Sequence, residues 1–343
     1  MITADDLVMR AGELGLELLG VAPVAPVKDK NLDAWIASGK NADMNWIARS
    51  QKKRNDPSLV LAGAQSMVIV ALNYFQGNPP PEIVQDPSRG LIARYAWYPE
   101  YHDVLKKKLE ELVAYLRQEY KKYFSYKIYV DTGPILERFW AQKSGLGFIG
   151  KNSNLIFWKY GSYVFLGEVL LDIALPEIMQ HSIGSCGTCA ACIDACPTHA
   201  IVQPKVVDAR NCVSYLTIEH KGVIAKELRP CLGNRIFGCD ICQEVCPWNS
   251  KAKQVGNLPL PDWNVWAPKL ADAVLMTDAD FRSTYAHSPV LRAKHKGFIR
   301  NVAVALGNWG TNEAFAALTR AKKLHHDSLI QEHIDWALTR CTP

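Results

Sequence analysis

The 343-residue chain has no apolar run of membrane-spanning length. Its most apolar stretch, Leu59 to Tyr74, is broken by Gln65 and Ser66 and falls short of a span. The start, Met1-Ile-Thr-Ala-Asp-Asp, has no basic region followed by an apolar core, so no secretory signal is expected. No twin-arginine export signal is visible. Charge of one sign is not in large excess: a net +5 permits a polyanionic partner without demanding one. A composition of 48% hydrophobic and 21% charged residues is that of an ordinary globular protein, and the length suggests two or three domains. The expected location is the cytoplasm, where thiols stay reduced. Ten cysteines there read as metal ligands rather than disulfides.

Most of those cysteines fall in one stretch. Cys186-Gly-Thr-Cys189-Ala-Ala-Cys192-Ile-Asp-Ala-Cys196-Pro197 has the spacing C-x2-C-x2-C-x3-C-P, and Cys239-Asp-Ile-Cys242-Gln-Glu-Val-Cys246-Pro247 closes the segment. This is the bacterial ferredoxin pattern, in which the fourth cysteine of a run serves the other [4Fe-4S] cluster. Cys186, Cys189, Cys192 and Cys246 should hold one cluster. Cys196, Cys239 and Cys242 should hold the second, which lacks a fourth ligand. Cys212 and Cys231 are the candidates, and Cys212 is preferred as a compact return point after the strand that follows the first Cys-Pro. Paired zinc knuckles would have no use for the third cysteine of each run or for Cys-Pro at both ends.

Around this segment the chain reads as α+β. Residues 3–20 show helical periodicity with Thr3 as N-cap, and Leu32 to Ser38 and Met44 to Ser50 suggest two more helices. Lys52 to Pro57 reads as a basic turn. Met67 to Leu72 suggests a buried strand, and His102 to Tyr123 a long amphipathic helix with Leu105, Leu109, Leu112 and Leu116 on its core face. Tyr126 to Asp131, Asn154 to Trp158 and Ser162 to Ile173 are strand candidates, with a helix expected over 135–144. Pro289 to Trp309, Asn312 to Leu324 and Ser328 to Thr339 read as helices, paired as in a HEAT-like repeat or forming a simple helical cap. The expected domains are 1–175 (a modest sheet flanked by helices), 176–260 (ferredoxin-like, two clusters) and 261–343 (the helical tail).

Two clusters alone make an electron carrier, so the first 175 residues should hold a substrate or second cofactor. Gly145 to Gly150 is a literal G-x-G-x-x-G, with Glu168 at a tempting distance beyond. A dinucleotide fingerprint follows a strand and opens a helix; here a helix comes before and a strand after. A turn that admits a bulky ligand close to backbone is the better reading. Asp131 ends a strand before Thr-Gly-Pro. It is either a turn residue or a carboxyl that acts as an acid.

Taken together, Asp131-Thr-Gly-Pro-Ile-Leu-Glu-Arg, Gly145-Leu-Gly-Phe-Ile-Gly-Lys-Asn, the two cysteine runs and Cys212-Val-Ser-Tyr-Leu-Thr-Ile-Glu resemble the epoxyqueuosine reductases, from about Arg54 to the tail. That family is cobalamin-dependent and related in its core to the reductive dehalogenases. The resemblance implies reduction of the epoxide of epoxyqueuosine, at the wobble position of a tRNA, to the alkene of queuosine. It implies Asp131 as proton donor, with a pKa raised by burial against the corrin, and base-off cobalamin without a His ligand; no histidine here has Asp two residues before it. Expected cobalamin contacts are Arg54, Arg94, Asp131, Lys151, Asn152, Ser153 and Gly161, with Ser214, Tyr215, Cys239 and Asp240 beside the second cluster. For tRNA they are Ile218, His220 and Lys221, then Arg292, Lys294, Lys296 and Arg300 on the tail. An external flavodoxin- or ferredoxin-type electron donor and a monomeric state are also expected. The alternatives are a corrinoid reductive dehalogenase and a non-catalytic two-cluster electron carrier.

Overall fold

The computed structural model describes residues 2–16, 18–28, 30–97, 100–180, 184–255 and 261–341, so the domain boundary expected at 260 lies outside them. Thr3 starts the first helix, α1 (Ala4–Glu13), through a reciprocal capping box: its hydroxyl accepts the Asp6 amide at 3.2 Å while the Asp6 carboxylate accepts the Thr3 amide at 2.9 Å. The helix stops at Glu13 rather than near residue 20. Gly15 takes φ 68, a left-handed conformation that glycine adopts without a Cβ clash, and sends Leu18 into strand β1 (Leu18–Pro23).

Helices α2 (Asn31–Ala37) and α3 (Asn45–Arg49) fall near their expected places. The basic turn expected at 52–57 is instead a short helix, α4 (Gln51–Asn55). Its Gln51 and Asn55, one turn apart on one face, both donate to Asp33 Oδ1, at 2.6 and 2.8 Å. After β2 (Ser66–Asn73), the two-residue β3 (Leu91–Ile92) leads to the long helix α5 (Tyr101–Tyr120). Then follow β4 (Tyr126–Tyr129), α6 (Glu137–Lys143), the β5 (Phe148–Ile149) and β6 (Leu155–Ile156) hairpin, and β7 (Val164–Leu171).

The main sheet has the order β1-β2-β7-β4, antiparallel throughout. It is therefore no dinucleotide-binding sheet, which is built of parallel strands. Every residue of β2 is buried, so both faces are covered. On one face Leu105, Leu109, Leu112 and Leu116 of α5 are fully buried against Val68, Val70, Val169 and Leu171. Their burial stabilises the sheet by about 1.5–3 kcal/mol each. On the other face, Trp140 and Ala141 of α6 pack on Met67, Ile69 and Leu170. The glycine segment turns from α6 into the hairpin. A Cβ at Gly145 would stand 1.7 Å from the Gln180 carbonyl oxygen, so only glycine fits there.

In the cysteine segment, single-turn helices Ala191–Asp194 and Ile241–Glu244 pack on each other. Between them lie the hairpin β8 (Ile201–Gln203) and β9 (Val206–Val207), the helix α7 (Val213–Ile218) that starts directly after Cys212, and β10 (Arg235–Phe237), which pairs in parallel with β3. The tail helix expected from Pro289 begins at Lys294. Pro289–Ala293 is a 3-10 turn capped by Ser288, and Lys294 has φ 62. Helices α8 (Lys294–Trp309), α9 (Asn312–Leu324) and α10 (Ser328–Leu338) complete the chain. Their core includes Ile92, Trp97, Ile236 and Phe237, so it draws on all three parts of the chain.

Candidate functional site

The cysteines form two neighbouring groups. The Cys192 thiol is pushed up first by burial, then by Cys186, with Cys246 and Cys189 adding to it. Cys242 is pushed well up by burial, then by Cys239 and Cys212, and Cys212 in turn feels Cys196. Cys239 reaches about 12, again mainly by burial. Thiols crowded out of water in this way resist ionising unless a cationic core compensates them. Cys186, Cys189, Cys192 and Cys246 thus stand together, and so do Cys196, Cys212, Cys239 and Cys242. Cys192 of the first group lies close enough to Cys242 to act on it. Amide groups already point at two sulfurs: Lys151 N at 3.3 Å from Cys186 Sγ and Ala200 N at 3.2 Å from Cys196 Sγ. Among the described residues, no three His, Cys, Asp or Glu side chains are arranged to hold a single metal ion. Cys231 and Cys341 lie apart, directed at the carbonyls of Glu227 and Leu306.

A cavity of about 2140 Å³ opens between the sheet domain and the cysteine segment. Ligand pockets for drug-sized molecules span roughly 300–1,000 Å³, so this one suits a macrocycle or a nucleotide with its neighbours. Cys196, Cys212, Cys239 and Cys242 all reach its wall, as do Asp131 and His102. Asp131 Oδ2 stands 3.7 Å from His102 Nε2, and the other ring nitrogen of His102 faces Glu100. Tyr101 stacks on Phe165 with ring centroids 4.1 Å apart, forming a flat apolar part of the wall.

The Asp131 side chain is 66% exposed, and His102 beside it, with help from Tyr101, holds its carboxyl below the ordinary carboxylate range. The raised groups are its neighbours. Burial opposes charge on His102, but the Asp131 and Glu100 carboxylates outweigh it and bring the imidazole to about 9. Glu137 is raised to about 7 by burial and then by the Asp131 charge. The sequence reading missed His102, because a residue off the leucine stripe of an amphipathic helix carries no signal of its own.

The other expected cofactor contacts divide. Arg54, Asn152, Ser153, Ser214, Tyr215 and Asp240 line the cavity. Arg54 donates to the Ile135 carbonyl at 2.9 Å, and Asn152 Nδ2 to the Cys242 carbonyl at 3.1 Å. Tyr215 donates to Asp43 at 2.7 Å. Arg94, Lys151 and Gly161 are off the wall. Arg94 is buried between Asp240 and Glu244. Lys151 Nζ donates to the Gly187 and Cys189 carbonyls at 2.9 and 2.8 Å, closing over the first cysteine loop. Gly161, with φ 71, makes room for Asn249, whose Oδ1 would lie 2.1 Å from a Cβ there.

At the tail edge of the cavity, Ile218, Arg292 and Lys294 contribute to the wall. A smaller recess of about 390 Å³ adjoins it, lined by Trp46, His220, Lys221, Arg292 and Lys294 among others. The Arg292 guanidinium lies 5.4 Å above the Trp46 ring and pairs with Glu219 at 3.0 Å. Lys221 Nζ donates to the Ile218 and Arg292 carbonyls, and burial pulls it down to about 8. Lys296 pairs with Asp327 at 2.8 Å on the surface. Arg300 cannot reach a phosphate in this conformation. It is fully buried and donates to the carbonyls of Leu216, His220 and Gly222 at 2.6–2.9 Å.

Residues 54–132 match the family model "Epoxyqueuosine reductase QueG, DUF1730", and residues 185–249 match the "4Fe-4S double cluster binding domain". The chain is similar to the epoxyqueuosine reductase of Escherichia coli, at 38% identity over 96% of this chain and 86% of the relative. It is 41% identical to that of Synechocystis over 84% of this chain and all of the relative. A crystal structure of epoxyqueuosine reductase with an epoxyqueuosine-modified tRNA-Tyr stem loop superposes with a TM-score of 0.84 at 28% identity, covering 98% of both chains. A Bacillus subtilis structure, whose catalytic aspartate loop is swung out of the active site, gives 0.79 at 27% identity, again over 98% of both.

Proposed function

The chain belongs to the epoxyqueuosine reductase family, and we propose that it reduces the epoxide of epoxyqueuosine in the wobble position of tRNA, with cobalamin in the large cavity and two [4Fe-4S] clusters behind it. One observation carries this reading: a single cavity wall brings a carboxylate–imidazole pair together with four thiols of the second cysteine group. An electron carrier has no need of the first, and a hydrolase none of the second.

The residues fit a corrin on three counts. The volume exceeds that of an ordinary ligand pocket about twofold. The wall combines flat aromatic surface with the hydrogen-bonding groups of Asn152, Ser153, Ser214 and Tyr215. Both ring nitrogens of His102 face carboxylates, in keeping with a base-off cofactor that takes no ligand from it. When bound, cobalamin supplies the low-valent cobalt that side chains cannot imitate.

Loss of the epoxide oxygen as water consumes two electrons and two protons. Cys186, Cys189, Cys192 and Cys246 would hold the outer cluster, near the surface where Cys189 is exposed and where a flavodoxin- or ferredoxin-type donor would dock. Cys196, Cys212, Cys239 and Cys242 would hold the inner one at the cavity wall. Asp131 would protonate the departing oxygen. Since His102 keeps Asp131 ionised, the proton resides on the imidazole at neutral pH. Asp131 Oδ2 then receives it from His102 Nε2 as negative charge develops on the substrate oxygen. The helical tail, read as HEAT-like, would grip the anticodon stem loop through Lys294, Lys296 and Arg292, with Ile218, His220 and Lys221 near the modified nucleotide. No helix among the described residues is long and apolar enough to cross a membrane.

The test is a nucleoside digest. Protein with both clusters and cobalamin loaded is incubated anaerobically with a reductant and epoxyqueuosine-containing tRNA. Queuosine should form; its absence would sink the proposal.

A further inference from the structure

Glu168 lies in the middle of β7, opposite Ile69 of β2 and Tyr129 of β4. It is fully buried, and neither carboxyl oxygen has a hydrogen-bond partner. Strand alternation puts it on the α6 face with Leu166 and Leu170. An isolated charge at such a place is strongly disfavoured. The group it acts on is Glu137, the first residue of α6, and each carboxyl makes ionisation of the other harder. The more deeply buried Glu168 is the one held neutral, which leaves the charge to Glu137.

Glu137 faces a second way as well. Its Oε1 accepts the backbone N–H of Asp131 at 2.6 Å. That backbone needs holding, because Asp131 has φ 55, a conformation that residues with a Cβ seldom take. Two residues on, Gly133 lies flat against Tyr129, where a Cβ would stand 2.3 Å from the ring. The loop therefore has a fixed pivot and, on its backbone, a carboxylate tether, with His102 beside the Asp131 side chain. Other groups acting on the tether are Asp131 itself, Arg138 on α6 and Arg54 on α4, and Tyr101 on α5 also senses its charge.

We infer that Glu137 is the latch of the Asp131 loop: its carboxylate holds the Asp131 amide, and thereby the backbone that presents the side chain to the cavity, with Glu168 packed behind it. Glu137 is a positioning residue, and its effect on turnover rests on the reading of the function above. In a Bacillus subtilis epoxyqueuosine reductase a catalytic aspartate loop is swung out of the active site; a loop that moves in this way is held in by a contact that can be made and released.

The experiment uses the cluster- and cobalamin-loaded protein. Amide hydrogen exchange over residues 129–136 and steady-state turnover are measured for wild type, Glu137→Ala, Glu137→Gln and Glu168→Gln. Glu137→Ala should speed exchange at the Asp131 amide about tenfold or more, the factor expected for one charged hydrogen bond. Its kcat should fall by a similar factor while KM for tRNA stays within about twofold. Glu137→Gln keeps an acceptor and should retain both protection and most of kcat, and so should Glu168→Gln. Cluster absorbance checks folding; if Glu137→Ala loses it, Glu137→Met replaces that variant. Wild-type protection in the Ala or Met variant, or a Gln variant as exposed as the Ala one, would overturn the latch. The exchange measurement needs no turnover, so a wild-type protein without reductase activity would count against the function and not against the latch.

Discussion

Arg94 and Asp240 meet twice: the Arg94 amide donates to Asp240 Oδ2 at 2.7 Å, and its guanidinium approaches the same oxygen at 3.3 Å. Both side chains are buried, and Asp240 directly follows a cysteine of the second group. The pair ties the turn after β3 to that group, with Glu244 as a second partner at 2.7 Å. Burial pushes the Asp240 carboxyl up even with Arg94 against it, so the pair does not recover the whole cost of dehydration. Removing one partner is a different matter. Arg94→Met should destabilise the protein by about 3–5 kcal/mol, because it leaves Asp240 buried and unpaired. Thermal unfolding followed through the cluster absorbance measures this, and an unchanged midpoint would remove Arg94 from its structural role.

Cys212→Ser should cost the second cluster and leave the first. Iron content should fall by about half, since each cube takes four cysteine ligands. Turnover should vanish while α5 and the sheet keep their far-UV circular dichroism, because their leucine core lies in a separate cluster of buried residues. Retention of the full iron content would transfer the ligand role elsewhere, with Cys231 the next candidate.

The Asp131–His102 pair sets a pH dependence whose sign is fixed. His102 has its folded pKa raised from 6.5 to about 9. Its contribution to stability is therefore complete below pH 6.5 and is lost as pH rises through about 9. In urea titrations the gap between wild type and His102→Gln should be widest below pH 6.5 and close above pH 9 or so. A gap that grows with pH would contradict the assignment of charge. Asp131→Asn should keep clusters and cobalamin while losing turnover by about two to four orders of magnitude, the usual range for a general acid.

Lys294 and Arg300 belong to one helix and should behave oppositely. Lys294→Ala should weaken tRNA binding and reduce its salt slope by about 0.7–0.9, one phosphate contact. Arg300→Met should lower the unfolding midpoint and leave the salt slope unchanged, because its guanidinium is spent on three carbonyls. Equal salt effects from the two would show that the arginine can leave its pocket.

The sequence was most readable where periodicity or spacing is rigid. The α5 leucines recur at helical spacing and are all buried. The cysteine runs have a fixed spacing, and in the structure Cys186, Cys189 and Cys246 act on Cys192, as Cys239 and Cys212 do on Cys242. Thr3 announced a helix start by type and position. What could not be read depends on contacts distant in the chain. Arg300 looks like a phosphate ligand until its three carbonyl partners, some eighty residues earlier, are known. Arg94 needs Asp240, and His102 needs Asp131. The helix at 51–55 was hidden because its organiser, Asp33, is outside any local window.

Asn301, next to Arg300, has a bearing on how the protein is made. Its side-chain amide donates to the carbonyls of Thr217 and Ile236, both at 2.8 Å. The turn of backbone beginning at Cys212 is thus braced by a helix that the ribosome releases long after the last cluster cysteine. Domains emerge and fold from the N-terminus, yet here the scaffold of the inner thiols is completed only from the other end. If that group holds the inner cluster as proposed, its iron loading should follow release of the tail, and a chain truncated before α8 should accumulate with a second cysteine group that has no settled shape.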